Sequence, residues 1–171
     1  IQMMIGKTVM ESYVPRENRS DEVLLRVKNL SNHKLRNISF DVKKGEIVGF
    51  YGLVGSGKTE LARAIFGADS YTGHIEFAGK KLGQSPAKTI QAGIAFVPEE
   101  RRTQGLFTLL TIRRNIPVMN MKKISRGGLI SVAKEKAAAR EYIERLDIKT
   151  DTMEKETAKL SGGNQQKVVF S

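Results

Sequence analysis

A glycine-rich segment between two structured stretches constrains this chain more than any other feature. Residues 52–59 read GLVGSGKT and match the pattern G-x-x-x-x-G-K-[ST] at every fixed position. Before them, residues 46–51 form a short apolar run that predicts a buried strand. After them, residues 58–66 predict a helix that stops at Gly67. The order strand, glycine loop, helix indicates an α/β fold with the loop at the carboxyl end of a strand.

The residue types in this loop are those that phosphate binding requires. Glycines let successive backbone N–H groups point inward at phosphate oxygens, and the start of a helix adds partial positive charge. We expect Lys58 to reach the β- and γ-phosphates of a nucleotide and the Thr59 hydroxyl to coordinate Mg²⁺. A chance glycine turn before a helix is the alternative. The predicted nucleotide-binding residues are Gly52, Gly55, Ser56, Gly57, Lys58, Thr59 and Glu60.

The charge balance points to anionic partners. The 171 residues include 29 Lys or Arg against 18 Asp or Glu, which gives a formal charge of +11. Such an excess favours nucleotides, nucleic acid or an anionic membrane surface. The alternative is that basic residues merely prevail in this part of a longer protein, and the start at Ile1 suggests such an excerpt. Because cysteine is absent, disulfides and thiolate metal sites are excluded. The two histidines, His33 and His74, are far apart in sequence, which argues against a histidine-rich metal site.

Local patterns predict the remaining elements. Strands are expected at residues 22–27, 35–42, 74–77 and 94–97, and helices at 85–93, over most of 106–121, and at 131–146. The first of these helices has Ser85 as its cap and Pro86 in its first position. The last has an apolar face made of Val132, Ala139, Ile143 and Leu146, with Glu135 mostly outside it.

Three parts are predicted along the chain. Residues 1–20 hold Pro15 and several charges typical of a linker. Residues 21–100 are expected to form a nucleotide-binding part with an antiparallel β portion, and residues 101–171 a helical subdomain. No apolar run approaches the roughly 20 residues of a membrane-spanning helix, and no signal peptide is visible. We therefore expect a soluble, cytosolic chain, which is still compatible with docking on a membrane protein.

A second glycine motif lies near residue 171. Residues 160–167, LSGGNQQK, place small residues before a predicted helix start, which makes another anion-binding corner. With this motif the chain resembles the nucleotide-binding domain of ABC transporters, Asn164 standing where the signature LSGGQ has Gln. The resemblance is strongest to the second ABC domain of the ATPase subunits of bacterial ribose-, galactose- and xylose-type importers. It rests on residues 44–55, 97–106 and 160–167, and residues 1–16 resemble that family's interdomain segment.

The resemblance implies a P-loop NTPase of ABC type with an incomplete core sheet. It implies Mg-ATP held by residues 52–59 and a second ABC domain, in the same chain or another copy, that completes the site. The helical subdomain would meet transmembrane permease subunits at the cytoplasmic face of the bacterial inner membrane, so the sugar is met only indirectly. The residues that would contact the partner's nucleotide are Leu160, Ser161, Gly162, Gly163, Asn164 and Gln165.

Three departures from the family pattern qualify this picture. The Asp-Glu pair and switch histidine that normally follow the signature are not in the chain, so we expect ATP binding without efficient hydrolysis. Residues 94–100 also form an apolar run ending in acids. They precede the signature instead of following it, so we do not assign them the role of the Asp-Glu pair. Glu99 stands where the family usually has Gln; it is a candidate catalytic and Mg²⁺-binding residue, or else a surface acid paired with Arg101 or Arg102. No aromatic residue for adenine stacking lies between Leu30 and Ile38, where His33 is a weak substitute.

Two other functional classes compete with the importer reading. A regulatory or assembly module would bind nucleotide without hydrolysing it, and the departures at Glu99 and at residues 30–38 favour it. A nucleic-acid-binding domain rests on charge alone and leaves both glycine motifs unexplained, so we expect no nucleic-acid partner.

Overall fold

The computed structural model describes residues 20–171, so nearly all of the predicted linker lies outside the described residues. The described chain divides into two compact units, with the boundary between Ala95 and Phe96. The division reflects how compactly each unit packs, so the functional roles predicted for residues 21–100 and 101–171 stay predictions. No helix in the described part of the chain is long and apolar enough to cross a membrane.

The first unit is built on an antiparallel sheet. Its strands are β1 (Val23–Ser31), β2 (Ile38–Lys43), β3 (Thr72–Phe77) and β4 (Lys80–Lys81), in the order β2-β1-β3-β4. The central β1 pairs on both sides, with Val27 opposite Phe40 in β2 and Ile75 in β3. The predicted strands at 22–27, 35–42 and 74–77 are therefore confirmed, each with shifted ends.

Two helices complete this unit. Helix α1 (Lys58–Phe66) ends at Gly67, whose φ of 80° is left-handed, as predicted. Helix α2 (Pro86–Gln91) has Pro86 in its first turn, but the Ser85 hydroxyl makes no capping hydrogen bond, contrary to expectation. The sheet and α1 share one core, in which the buried residues are Val27, Leu30, Leu35, Leu61, Ala64, Ile75 and Leu82.

Two predicted buried strands, one just before the glycine loop and one at residues 94–97, are not formed. Residues 46–51 and 94–97 carry no strand pairing, and Ile47 is 74% exposed and Tyr51 fully exposed. A parallel strand buried on both faces needs neighbouring strands to satisfy its backbone and cover its side chains. No described segment pairs with either stretch. In the first of these stretches, Phe50 packs edge-to-face on Phe40 with ring centroids 5.0 Å apart.

The second unit is mainly helical. Its helices are α3 (Ile112–Asn115), α4 (Met121–Ile124), α5 (Val132–Arg145) and α6 (Gly162–Val169). A π-helical turn (Arg101–Gly105), 3₁₀ turns (Ile116–Asn120, Thr157–Lys159) and a small hairpin, β5 (Ser125–Arg126) with β6 (Leu129–Ile130), join them. The core consists of Ile112, Ile116, Ala139, Ile148, Leu160 and Val168.

The strongest helix prediction holds, with two errors in its faces. Helix α5 begins after Ser131, whose hydroxyl accepts from the Lys134 N–H at 3.4 Å. Val132, assigned to the apolar face, is 54% exposed, and Glu135, assigned outside it, is buried. Glu135 is drawn inward by an ion pair with Arg113 of α3, a partner that the helical period of α5 does not reveal. Within 106–121, where mostly helix was expected, helical structure begins only at Ile112 and is divided into α3, a 3₁₀ turn and the start of α4.

Candidate functional site

The Lys58 ammonium lies at the centre of the glycine loop. Its Nζ donates to the main-chain oxygens of Gly52 at 2.6 Å and Leu53 at 2.9 Å, and to Ser56 Oγ at 3.3 Å. A further main-chain bond, Ser56 N–H to Leu53 O at 3.1 Å, closes the turn. The loop is thus wrapped around a positive charge at the start of α1, where the helix dipole has the same sign.

Two glycines make this curl possible. Gly57 precedes α1 with a φ of 95°, a left-handed conformation that favours glycine. An added Cβ at Gly52 would lie 2.6 Å from Ser56 Oγ, so a side chain there would fill the cradle. Leu53 and Val54 stand fully in solvent and leave the loop open to a ligand. The concave, glycine-lined, cationic loop fits a phosphate group.

Thr59 and Glu60 occupy the first turn of α1. Thr59 places a hydroxyl in the first turn of α1, next to Lys58. The Glu60 carboxylate forms an ion pair with Lys34, and the hydrogen bond from Lys34 lowers the pKa of Glu60. This carboxylate is therefore neutralised by the turn between β1 and β2. In the same turn, His33 is exposed.

The described residues contain no cluster of three or more His, Asp or Glu side chains able to hold a metal ion by themselves. A divalent ion at α1 would accordingly depend on the Thr59 hydroxyl, on phosphate oxygens and on water. Mg²⁺ commonly binds in this way, with few protein ligands and several retained waters. The donor set at α1 fits Mg²⁺ only in combination with a phosphate.

The second glycine motif caps helix α6 and has an outer side. Ser161 is the N-cap residue, and Ser161 and Gly163 are exposed to solvent. Asn164 ties this corner together, because its Nδ2 donates to Ser161 Oγ at 3.1 Å while its Oδ1 accepts from the Lys149 N–H at 2.9 Å. The backbone N–H groups of the first turn of α6 are thereby held in place at the helix start.

The inner side of the motif consists of Leu160 and Gln165, both buried. Gln165 Nε2 donates to the Thr157 carbonyl at 3.0 Å and, more weakly, to that of Ala158 at 3.5 Å. Its Oε1 accepts from the Nε–H groups of Arg101 at 3.4 Å and Arg102 at 3.3 Å. Gln165 therefore faces the interior and fixes the motif against the Arg101–Gly105 turn.

A buried polar group extends this support. Thr157 Oγ1 lies 3.3 to 3.4 Å from the carbonyl oxygens of residues 107, 108 and 110, which are alternative acceptors for its single O–H. Asn115 donates to the Phe107 and Thr111 carbonyls, both at 3.0 Å, and accepts from the Phe107 N–H at 2.9 Å. Sequence reasoning missed Asn115 and Thr157. The three-residue spacing between Gln165 and buried Val168 was the available signal that Gln165 faces inward.

Glu99 and the arginines after it lie in the second unit. Arg101 and Arg102 direct their Nε–H groups to Gln165, a neutral acceptor. Arg101 also lies over the second motif, since a Cβ added at Gly162 would stand 2.7 Å from an Arg101 guanidinium nitrogen. The Arg101 guanidinium thus adds positive charge beside the start of α6.

Fold and sites together define a P-loop nucleotide-binding protein with a helical unit that carries a second glycine motif. The family model for ABC transporters matches residues 35–171, and the chain belongs to that family. This confirms the fold class expected from the two motifs.

Named relatives cover the whole chain. It is 39% identical to "Ribose import ATP-binding protein RbsA 2" of Streptomyces avermitilis, over 100% of this chain and 34% of that protein. It is 42% identical to "Ribose import ATP-binding protein RbsA 3" of Rubrobacter xylanophilus, over 100% of this chain and 35% of that protein. The chain therefore spans about a third of the length of these relatives.

A solved structure shows the same fold. Clostridium perfringens cbiO1, described as part of the ABC transporter complex cbiONQ, superposes with a TM-score of 0.64 at 20% identity, covering 88% of this chain and 60% of that one.

Proposed function

We propose that this chain is a Mg-ATP-binding part of the ATPase of a sugar importer, and that it serves two nucleotides. Its glycine loop binds one ATP, while the outer side of the α6 motif contacts an ATP bound to another ABC domain. The sugar class is inferred from the ribose-import relatives at 39% and 42% identity. The carrying observation is the Lys58 ammonium held at the centre of an open, glycine-lined loop.

The chain's own residues account for phosphate binding. Lys58 exchanges neutral carbonyl and hydroxyl acceptors for charged phosphate oxygens, and charge-assisted hydrogen bonds are about twice as strong as neutral ones. Gly52 and Gly57 keep the loop tight enough for backbone N–H groups to approach the same oxygens. The Thr59 hydroxyl supplies one oxygen ligand for Mg²⁺. When bound, Mg-ATP supplies the phosphoanhydride bond whose hydrolysis powers transport in this family.

The second motif acts on a different nucleotide. Ser161, Gly162 and Gly163 present a hydroxyl and backbone N–H groups at the start of α6, which attract a γ-phosphate. Asn164 and Gln165 act from behind by fixing this turn. We further propose that the helical unit meets the permease at the cytoplasmic face of the membrane. Glu99 would lie in the segment that couples ATP binding to this contact with the permease.

Binding of ATP by purified chain tests the first site directly. We expect Mg-ATP binding by calorimetry, and Lys58→Met to weaken it about 10- to 100-fold, because a hydrogen bond to a charged group contributes about 1.5 to 3 kcal/mol. Lys88→Met, which removes an exposed lysine of α2 from the same unit, is the matched control. Equal affinity of the wild-type and Lys58→Met proteins would refute the proposed site.

A further inference from the structure

One stretch of the helical unit is exclusively basic. From Arg101 to Lys134 the sequence contains eight Lys or Arg and no Asp or Glu. Arg113 is neutralised by ion pairs with Glu135 and Glu154. The hairpin segment, which we define as residues 118–134, keeps an uncompensated excess that includes the exposed side chains of Lys122, Lys123 and Lys134.

Large apolar side chains accompany these charges in solvent. Met119 is 67% exposed and Leu129 is 78% exposed. Val118, Met121, Ile130 and Val132 are also exposed. The segment is nevertheless anchored, because the Ile124 side chain is buried and the Ser131 N–H donates to the Ile124 carbonyl at 2.9 Å. The exposed apolar side chains of the segment therefore project from a backbone that is fixed to the unit at Ile124.

A surface with exposed apolar side chains, several lysines and no acidic residues is typical of proteins that bind an anionic bilayer. Apolar groups enter the boundary between headgroups and acyl chains, while Lys and Arg bind the negative headgroups. We propose that the hairpin segment docks on anionic lipid headgroups, with Met119, Leu129 and Ile130 entering the interface and Lys122 and Lys123 above it. This rests on the proposed function, which places the chain at a membrane.

The sign of the charge favours lipid over the permease as the occupant. Cytoplasmic loops of membrane proteins carry an excess of Lys and Arg, so they repel a segment that has four basic residues and no acid over positions 118–134. The cytoplasmic leaflet is negative and attracts it. A bilayer also accepts scattered apolar side chains without the shape complementarity that a protein partner requires.

Vesicle sedimentation of the 171-residue chain tests the proposal. We expect binding to vesicles of phosphatidylglycerol mixed with phosphatidylcholine, weaker binding at high salt, and little binding to phosphatidylcholine alone. The double variant Lys122→Glu, Lys123→Glu should weaken binding more than about tenfold, because each basic residue near an anionic surface contributes about fivefold. Leu129→Ser with Ile130→Ser should also weaken it. The control is Lys80→Glu with Lys81→Glu, an exposed lysine pair in β4.

Each contrary result has a definite meaning. Equal binding to both kinds of vesicle, or equal loss in the β4 control, overturns the proposal. So does a Lys122, Lys123 variant that binds vesicles normally but fails to associate with the permease, because the surface would then belong to a protein. Circular dichroism verifies that each variant is folded. Mg-ATP affinity is measured on the same wild-type sample to separate the two proposals. If the wild-type chain binds vesicles but not Mg-ATP, the proposed function is refuted and the lipid proposal is not.

Discussion

The fully buried side chain of Gln165 allows a sharp test of how the second glycine motif is held. Its amide donates to the Thr157 carbonyl at 3.0 Å and accepts from Arg101 and Arg102. Replacing it with leucine keeps the approximate volume and removes every polar atom. The Thr157 carbonyl then loses its side-chain donor in the interior, while the two arginines, which are only partly covered, regain water.

The expected cost follows from these contacts. The Thr157 carbonyl keeps the Leu160 N–H as a donor at 3.2 Å, so the substitution removes hydrogen bonds of the Gln165 side chain without leaving this carbonyl unpaired. Because one net hydrogen bond contributes about 0.5 to 1.5 kcal/mol, Gln165→Leu should lower the free energy of unfolding of the helical unit by about 1 to 2 kcal/mol. With a urea m-value near 2 kcal/mol/M, the midpoint should fall by about 0.5 to 1 M.

The neighbouring residue supplies the control. Gln166 is the same residue type in the same helix but is exposed, and Gln166→Leu should change the unfolding free energy by less than about 0.5 kcal/mol. Urea titrations followed by circular dichroism compare the two variants. If both leave the midpoint unchanged, the buried amide does not hold the motif, and the support role assigned to Gln165 is refuted.

Three further predictions concern the stability of each unit. Arg113→Ala should cost about 3 kcal/mol of unfolding free energy, because it leaves the buried Glu135 carboxylate unpaired; a urea midpoint near that of wild type would contradict this. The hydrogen bond from Arg113 lowers the pKa of Glu154 in the folded chain, so this stabilisation is present above the unfolded pKa near 4.5 and is lost as pH falls below it. Wild type should therefore melt at a higher temperature than Glu154→Gln at neutral pH, and this difference in melting temperature should shrink below that pH; a difference that does not change with pH would contradict the prediction. Gly73→Ala should destabilise by more than about 2 kcal/mol, because its Cβ would stand 2.5 Å from a main-chain oxygen of β1, whereas Gly79→Ala, with similar positive φ and open space, should cost less in the same thermal melts.

Local signals explain what the sequence predicted correctly. Helix α1 and its glycine stop follow from residues within one turn of each other. The strands at 46–51 and 94–97 failed because a parallel strand exists only beside its partners. The nature of a run of apolar residues does not reveal which other segment will pair with it.

The candidate site divides in the same way. The loop at 52–59 was predictable because its pattern is contiguous and its chemistry is set by backbone curvature. The inward orientation of Gln165 was not foreseen, because it depends on carbonyls of residues 157 and 158 and on arginines some sixty positions earlier in the chain. Glu135 was misplaced for a similar reason, since its partner Arg113 lies on another helix.

The pairing of β1 with β3 has a consequence for the order of folding. Leu25 lies opposite Phe77 and Val27 opposite Ile75, so this ladder joins residues about 50 positions apart, and long-range pairings of that kind form slowly. The hairpin of β1 and β2 closes a much shorter loop and costs less entropy. The glycine loop lies within the segment that the later pairing encloses. The phosphate cradle should therefore gain its final shape only after β3 docks, so that nucleotide binding in a refolding experiment reports the last step of this unit rather than the first.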